Sequence, residues 1–260
     1  MKEVKLYRKE DLINDLSAVG KRLSRTVSIY LIGGCAMSLK DLKEFTKDVD
    51  IIFTSLDDLN LFENELIAIG YERTLKTQVE YDQLGASSIL RHTERAGFDL
   101  FHMKVCNMLS LSDEMVKRSS RYDKMGNLEV FLISNEDIAL FKGITERPRD
   151  IDDISLLINA DRRNFNWNTI KEECASQKEH LKIEGHLYNR LLELFEKYQI
   201  RAPILSWLKN RDKKDILHDV YEHRLKEGFT HDQIVEQFIK DGFSKKEIAV
   251  LDRFGKKNRK

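Results

Sequence analysis

The sequence contains few prolines and glycines, the residues that interrupt regular structure, and few cysteines. Only 2 prolines and 12 glycines occur in 260 residues, which excludes collagenous and low-complexity chains. The three cysteines, Cys35, Cys106 and Cys174, are odd in number, far apart and without metal-ligand spacing. We therefore expect buried thiols in a reducing compartment, and neither a disulfide framework nor a zinc site.

Long apolar runs and an excess of one charge are also absent. No run approaches the roughly 20 apolar residues that cross a bilayer, and the first residues lack the apolar core of a secretion signal. We therefore expect a cytoplasmic protein without membrane contact. The 44 Lys and Arg residues balance 44 Asp and Glu residues. Any contact with nucleic acid must then be local, because a net charge of zero gives no general attraction to a polyanion.

Strand and helix patterns alternate up to about residue 160, and only helical patterns follow. Strand-like alternation predicts strands at residues 27–32, 48–53, 86–91, 98–103 and 128–133. A polar turn joins the third and fourth strands, which indicates a hairpin with antiparallel neighbours. The sequence therefore predicts an α/β (α+β) fold, with a small mixed β-sheet domain in residues 1–162 and an all-helical domain in residues 163–260.

Apolar residues at helical spacing predict the helices. In the first half they favour an opening helix around residues 12–23 and helices at 35–42, 56–69, 134–142 and from 148, with Ser134 as a cap. In the second half they favour helices at 167–176, 187–198 and 204–225, the last with a break near Arg211. Two short helices, each preceded by Gly and capped by Thr or Ser, complete the chain.

One segment combines two glycines with two aspartates in a strand–helix–strand context. Gly33 and Gly34 end the first strand, and Asp48 and Asp50 alternate with apolar residues on the second. Alternation places both carboxylates on one face of the strand, roughly 6.5–7 Å apart. Oxygen ligands of this kind suit Mg²⁺, which completes its shell with water and substrate phosphates. A glycine pair before a helix lets the backbone approach a phosphate.

This segment resembles the signature of the polymerase-β-like nucleotidyltransferase superfamily, which also uses a third carboxylate on a later strand. Asp99, between apolar residues in the predicted hairpin, matches that position. The resemblance implies that Asp48, Asp50 and Asp99 hold two Mg²⁺ ions and are catalytic. It also implies nucleotide binding by Gly33, Gly34 and Ser38. An acceptor hydroxyl would attack the α-phosphorus of a nucleoside triphosphate and release pyrophosphate.

A later segment resembles the Lys, then Arg-x-x-Asp-x-x-Asp, arrangement of AbiE/MenT-type nucleotidyltransferase toxins and their prokaryotic relatives. Its matching residues are Lys142, Arg147, Arg149 and Asp150. The resemblance implies that Lys142 neutralises phosphate charge, that Arg147 or Arg149 contacts nucleotide or polynucleotide, and that Asp150 is catalytic. The chain departs from the toxins just before the paired aspartates, where Glu44-Phe45-Thr46 keeps the Thr and lacks the usual Arg.

Simpler interpretations stand beside these assignments. Acidic residues in the first turn of a helix complement its dipole, and Arg149 with Asp153 forms an ordinary i, i+4 pair. Lys142 near a helix end is equally favoured by the dipole. Cys35 has no partnered base, so we interpret it as a packing residue and not a nucleophile. The final helices resemble a helix-turn-helix in outline, but a plain bundle is the simpler interpretation and DNA is not the expected partner.

The leading expectation is a Mg²⁺-dependent nucleotidyltransferase that moves a nucleoside monophosphate onto a macromolecular hydroxyl. The toxin resemblance favours a tRNA 3′ end as acceptor, a role in a toxin–antitoxin or phage-defence system, and an antitoxin protein as partner. Two alternatives stay open. One is nucleotide transfer to a protein side chain or a small molecule, and the other is a non-catalytic regulatory subunit that senses nucleotides or binds nucleic acid.

Overall fold

A computed structural model describes residues 5–74, 85–145, 147–241, 243–249 and 251 of the chain. Its contacts divide the protein into two compact units, Met1–Ala202 and Pro203–Lys260. The last strand in the described residues ends at Leu132, and the helices that follow up to Tyr198 belong to the same compact unit as the sheet. In the described part of the chain, no helix is both long and apolar enough to cross a membrane.

The first unit is built on a mixed β-sheet, which confirms the predicted fold class. The strands are β1 Val27–Ile32, β2 Asp48–Phe53, β3 Glu72–Arg73, β4 Ser88–Arg91, β5 Gly97–His102, β6 Lys104–Val105, β7 Leu109–Ser110, β8 Ser120–Met125 and β9 Leu128–Leu132. Within the described residues, seven of them form one sheet in the order β3-β4-β5-β2-β1-β9-β8, and β6 pairs with β7. The β1–β9 and β2–β5 pairs are parallel, and the other neighbours in the sheet are antiparallel.

Helices accompany this sheet, and apolar patterns in the sequence predict most of them. They are α1 Lys9–Gly20, α2 Gly33–Leu39, α3 Leu56–Ala68, α4 Asp113–Arg118, α5 Asn135–Gly143, α6 Asp150–Ala160, α7 Trp167–Ser176 and α8 His180–Tyr198. Leu12, Leu16 and Val19 of α1 are completely buried. Ser134 caps α5, because its hydroxyl accepts a hydrogen bond from the amide of Asp137, as predicted. The central strands β1 and β2 are thereby enclosed in the core.

Five elements of this unit were not predicted: β3, β6, β7, α4 and β8. Strand β8 reads Ser-Arg-Tyr-Asp-Lys-Met and is largely exposed, so apolar alternation could not mark it. It forms the edge of the sheet and pairs with β9 in a hairpin whose turn contains Gly126 at φ +63°. Polar residues are common on exposed edge strands, where they discourage pairing with other chains.

The second unit consists of the helices α9 Leu205–Lys226, α10 His231–Lys240 and α11 Lys245–Ile248 in its described part. The predicted break near Arg211 is wrong: α9 is continuous, and its sequence contains neither Pro nor Gly. Thr230 caps α10, as predicted. The helices enclose a small core of Leu217, Tyr221, Ile234, Phe238, Ile248 and Leu251. Gly242 and the basic residues at the end of the chain lie outside the described residues.

Candidate active site

Three aspartates come together where β2 and β5 run side by side. The parallel pairing sets Asp50 directly beside Asp99 and Asp48 beside Gly97. Val49 and Ile51 are completely buried, so Asp48 and Asp50 share the opposite face of β2, as the alternation predicts. Asp99 is also buried, at 2% exposure, whereas the Asp48 side chain is 35% exposed. The arrangement therefore runs from a buried carboxylate to one that solvent reaches.

The glycine pair lies directly against these carboxylates. Gly33 follows Ile32, which pairs with Asp50 across the β1–β2 ladder. Gly33 has a φ of +64°, and a Cβ at this position would lie 2.4 Å from Oδ2 of Asp50. A Cβ on Gly34 would lie 3.0 Å from the hydroxyl oxygen of Thr46. Both glycines thus permit a close approach that a side chain would prevent, and at Gly33 the backbone conformation also favours glycine.

The retained threonine has a structural partner inside this group. The Thr46 hydroxyl donates a hydrogen bond of 3.0 Å to the carbonyl of Asp48, and the residue is buried. Its backbone pairs with Tyr7, with N–O distances of 2.8 and 3.0 Å. Thr46 therefore fixes the chain at the start of β2, immediately before the paired aspartates.

The aspartates repel one another electrostatically. Burial raises the pKa of Asp50 to about 7, and the charges of Asp99 and Asp48 add to the rise, while Arg147 and Lys142 oppose it. Burial also raises the pKa of Asp99, which Arg91 partly offsets. Like charges gathered at a partly buried place are unfavourable without a bound cation, and such groups are typical of functional sites.

Arg91, a residue the sequence reasoning missed, provides a cation at this place. Its Nη1 lies 2.8 Å from Oδ1 of Asp99, and its Nη2 lies 3.7 Å from Oδ1 of Asp48. Leu90 pairs with Phe98 across the β4–β5 hairpin, which brings Arg91 next to Gly97. The available signal was an arginine at the end of the predicted hairpin strand, but its significance depends on the strand register.

A second group of charges joins α5 to α6 through Lys142. The Lys142 Nζ lies 2.8 Å from Asp150 and 2.6 Å from Asp153, and all three side chains are buried. Lys43 reaches the other oxygen of Asp153 at 2.7 Å. Burial disfavours the charge of Lys142, but the two carboxylates outweigh this effect and raise its pKa. The expected Arg149–Asp153 pair is not formed among the described contacts, since Asp153 binds the two lysines instead.

The remaining predicted residues differ in their surroundings. Asp150 accepts a hydrogen bond from Thr145 in addition to its ion pair with Lys142. Arg147 is exposed, its charge acts on Asp50 and Asp99, and its carbonyl accepts a 2.6 Å hydrogen bond from the buried Arg190. Arg149 is exposed, and none of the described contacts joins its side chain to Asp48, Asp50 or Asp99.

Two side chains of α2, the helix that begins with the glycine pair, are buried. Ser38 is 1% exposed, and its hydroxyl has no hydrogen-bond partner among the described residues. Cys35 is completely buried and donates to the carbonyl of Ile32 at 3.0 Å. Burial raises the pKa of its thiol, so Cys35 is not an activated nucleophile.

Comparison with known families agrees with this geometry. Residues 8–202 match the family model described as a nucleotidyltransferase of unknown function (DUF6036). The chain belongs to this nucleotidyltransferase family. A comparison with curated proteins finds no match. The family match covers the whole first unit from α1 onward and includes every residue of the two charge groups described above.

The donor set of this nucleotidyltransferase fits a hard divalent cation in part. Asp48, Asp50 and Asp99 offer carboxylate oxygens, the ligands that Mg²⁺ prefers, and one or two carboxylates suffice when phosphates and water complete the shell. In the described residues, no three acidic, His or Cys side chains are arranged to hold a metal ion together. Arg91 contacts Oδ1 of both Asp48 and Asp99, oxygens that a metal ion would otherwise use.

Proposed function

We propose that the protein transfers a nucleoside monophosphate from a nucleoside triphosphate to a macromolecular hydroxyl, in a reaction that depends on Mg²⁺. The observation that supports this most strongly is the convergence of Asp48, Asp50 and Asp99 on adjacent strands beside Gly33. Membership of a nucleotidyltransferase family supports the same class of reaction. Two Mg²⁺ ions, the number that the resemblance implies, would be held by these three carboxylates.

In this proposal, the residues of the site have different roles that follow from their charge and exposure. Mg²⁺ bound by the aspartates would lower the pKa of the acceptor hydroxyl and neutralise charge on the phosphates. Gly33 and Gly34 leave the backbone open for the close approach of a phosphate chain. Arg147 is an exposed cation whose charge lowers the pKa of Asp50 and Asp99, which supports a contact with the triphosphate or the acceptor.

Lys142 and Asp150 act in this proposal through each other. Asp150 and Asp153 neutralise the charge of Lys142, so Lys142 attracts a bound phosphate less strongly than a free lysine would. Asp150 in turn is held by Lys142 and Thr145. This pair fixes the segment between α5 and α6, which carries Arg147, and the charge of Lys142 still lowers the cost of ionising Asp50.

A tRNA 3′ end is the acceptor we propose, within a toxin–antitoxin or phage-defence system that includes an antitoxin protein. This part rests on the resemblance of Lys142, Arg147 and Asp150 to the toxin motif. The test is incubation with each α-labelled nucleoside triphosphate, Mg²⁺ and total tRNA. Periodate-oxidised tRNA, which lacks the 3′-terminal diol, serves as the acceptor control.

The expected result is label on tRNA with the natural chain and with Asp57→Asn, an exposed aspartate of α3, and no label with Asp48→Asn. Label on a protein band in place of RNA would move the acceptor to a protein side chain. Absence of label on every acceptor, with nucleotide still bound, would favour a nucleotide-sensing regulatory subunit and contradict the proposal.

A further inference from the structure

Arg91 lies between two of the three aspartates and contacts both. Its guanidinium is 2.8 Å from Asp99 Oδ1 and 3.7 Å from Asp48 Oδ1, and it also donates to the carbonyl of Leu90 at 2.9 Å. Arg91 keeps its charge at any pH at which the protein is folded, and its planar group can face two carboxylates at once. The guanidinium therefore supplies positive charge beside the carboxylates that a metal ion would bind.

Gly97 provides the space for this contact. A Cβ on Gly97 would lie 2.6 Å from Nη1 of Arg91 and 2.9 Å from its Cζ. Gly97 is in a regular part of β5, and its φ is not among the positive values in the described residues. Its backbone conformation thus suits any residue, and the position of Arg91 is what calls for glycine. The close approach of Arg91 to Asp99 therefore depends on two residues, the arginine itself and Gly97.

We propose that Arg91 is the internal counter-ion of the aspartates in the metal-free enzyme, and that a divalent cation binds by displacing its guanidinium from Asp48 and Asp99. The inference rests on the proposed function to the extent that these aspartates are the metal site. Asp99 is 2% exposed, and a carboxylate this deeply buried needs a partner when no metal is bound. The same partner then competes with the metal.

This role has a consequence that a purely structural ion pair does not share. Removing the guanidinium frees carboxylate oxygens and removes a repulsive positive charge, so divalent cations should bind more tightly, roughly tenfold or more. The metal-free protein should at the same time become less stable, because Asp99 loses its partner. Tighter metal binding together with a less stable metal-free protein is the signature of an internal competitor.

The experiment is a titration with Mn²⁺, observed by the electron paramagnetic resonance signal of the free ion, at pH 8 and without nucleotide. Arg91→Gln removes the charge. Gly97→Ala keeps Arg91 but forces its guanidinium away, and so provides a second, independent variant. Arg95→Gln is the control, because Arg95 lies in the same hairpin and faces Asp15, at 3.6 Å, instead of the three aspartates.

Both test variants should bind Mn²⁺ with a dissociation constant about tenfold lower than that of the natural chain, and Arg95→Gln should leave it unchanged. In thermal unfolding, Mn²⁺ should raise the melting temperature of Arg91→Gln more than that of the natural chain. If Arg91→Gln does not fold, the Gly97→Ala titration decides alone.

Unchanged or weaker Mn²⁺ binding in folded Arg91→Gln and Gly97→Ala would overturn the inference. Weaker nucleotide binding with unchanged Mn²⁺ binding would likewise overturn it, and would make Arg91 a nucleotide contact. These failures differ from failure of the proposed function. If the natural chain binds Mn²⁺ and transfers nucleotide, only the proposed role of Arg91 is contradicted. If neither the natural chain nor any variant binds Mn²⁺, the proposed metal site itself is contradicted.

Discussion

Replacement of Asp50 by Asn should stabilise the metal-free protein. The pKa of Asp50 is raised from 3.8 to about 7 by burial and by Asp99 and Asp48, so its ionised form is less favourable in the folded than in the unfolded chain. Each pKa unit corresponds to about 1.4 kcal/mol, so ionised Asp50 lowers the free energy of unfolding by about 4 kcal/mol above pH 7. Asn has a similar shape and no charge, and should recover much of this energy.

The effect should depend on pH in a defined direction. A carboxyl whose folded-state pKa is raised contributes full stability below its unfolded pKa and loses it as the pH rises through the folded one. The difference between Asp50→Asn and the natural chain should therefore grow by about 3 kcal/mol between pH 5 and pH 8, since about two pKa units separate pH 5 from the folded-state pKa.

The assay is urea unfolding followed by circular dichroism, in EDTA, at pH 5 and pH 8. Asp57→Asn, at the exposed start of α3, is the control and should shift stability by less than about 1 kcal/mol. A difference that is the same at both pH values, or Asp50→Asn less stable than the natural chain at pH 8, would refute the electrostatic account of the site.

Further predictions concern the glycine pair and Lys142 of α5, which forms ion pairs with α6. Gly33→Ala should lower the free energy of unfolding by about 1–3 kcal/mol in urea titrations, because a Cβ would lie 2.4 Å from Oδ2 of Asp50 at a φ of +64°. Gly228→Ala, also at positive φ but with nothing within 4 Å, should cost less, and equal costs would contradict the close contact. Lys142→Met should cost about 3–5 kcal/mol, since it leaves two buried carboxylates without a main partner. Adding Asp153→Asn to Lys142→Met should restore part of the loss, and a purely additive loss would contradict the ion-pair network.

The sequence alone predicted the part of the site that depends on local periodicity. Alternation along β2 is enough to place Asp48 and Asp50 on one face and Val49 in the core, because side chains in a strand alternate between faces. The Ser134 cap was likewise predictable, since it acts on Asp137 three residues along the chain. The glycine pair stood out at the end of the first strand, whereas its contacts with Asp50 and Thr46 depend on packing.

Residues whose role depends on long-range packing could not be predicted in the same way. The meaning of Arg91 depends on the β4–β5 register and on the space above Gly97. Asp153 was expected to pair with Arg149 one helical turn away, but Lys142 and Lys43 reach it from other elements. Strand β8 carries no apolar alternation, and it forms by antiparallel pairing with β9 at the edge of the sheet.

The central claim is transfer of a nucleotidyl group by the aspartates beside Gly33. Its most direct test compares α-labelled with γ-labelled nucleoside triphosphate in the presence of Mg²⁺ and tRNA. The account predicts that the α-label becomes attached to the acceptor, that the γ-label leaves as pyrophosphate, and that Asp48→Asn abolishes both. Transfer of the γ-label to the acceptor, or undiminished α-label transfer by Asp48→Asn, would contradict it.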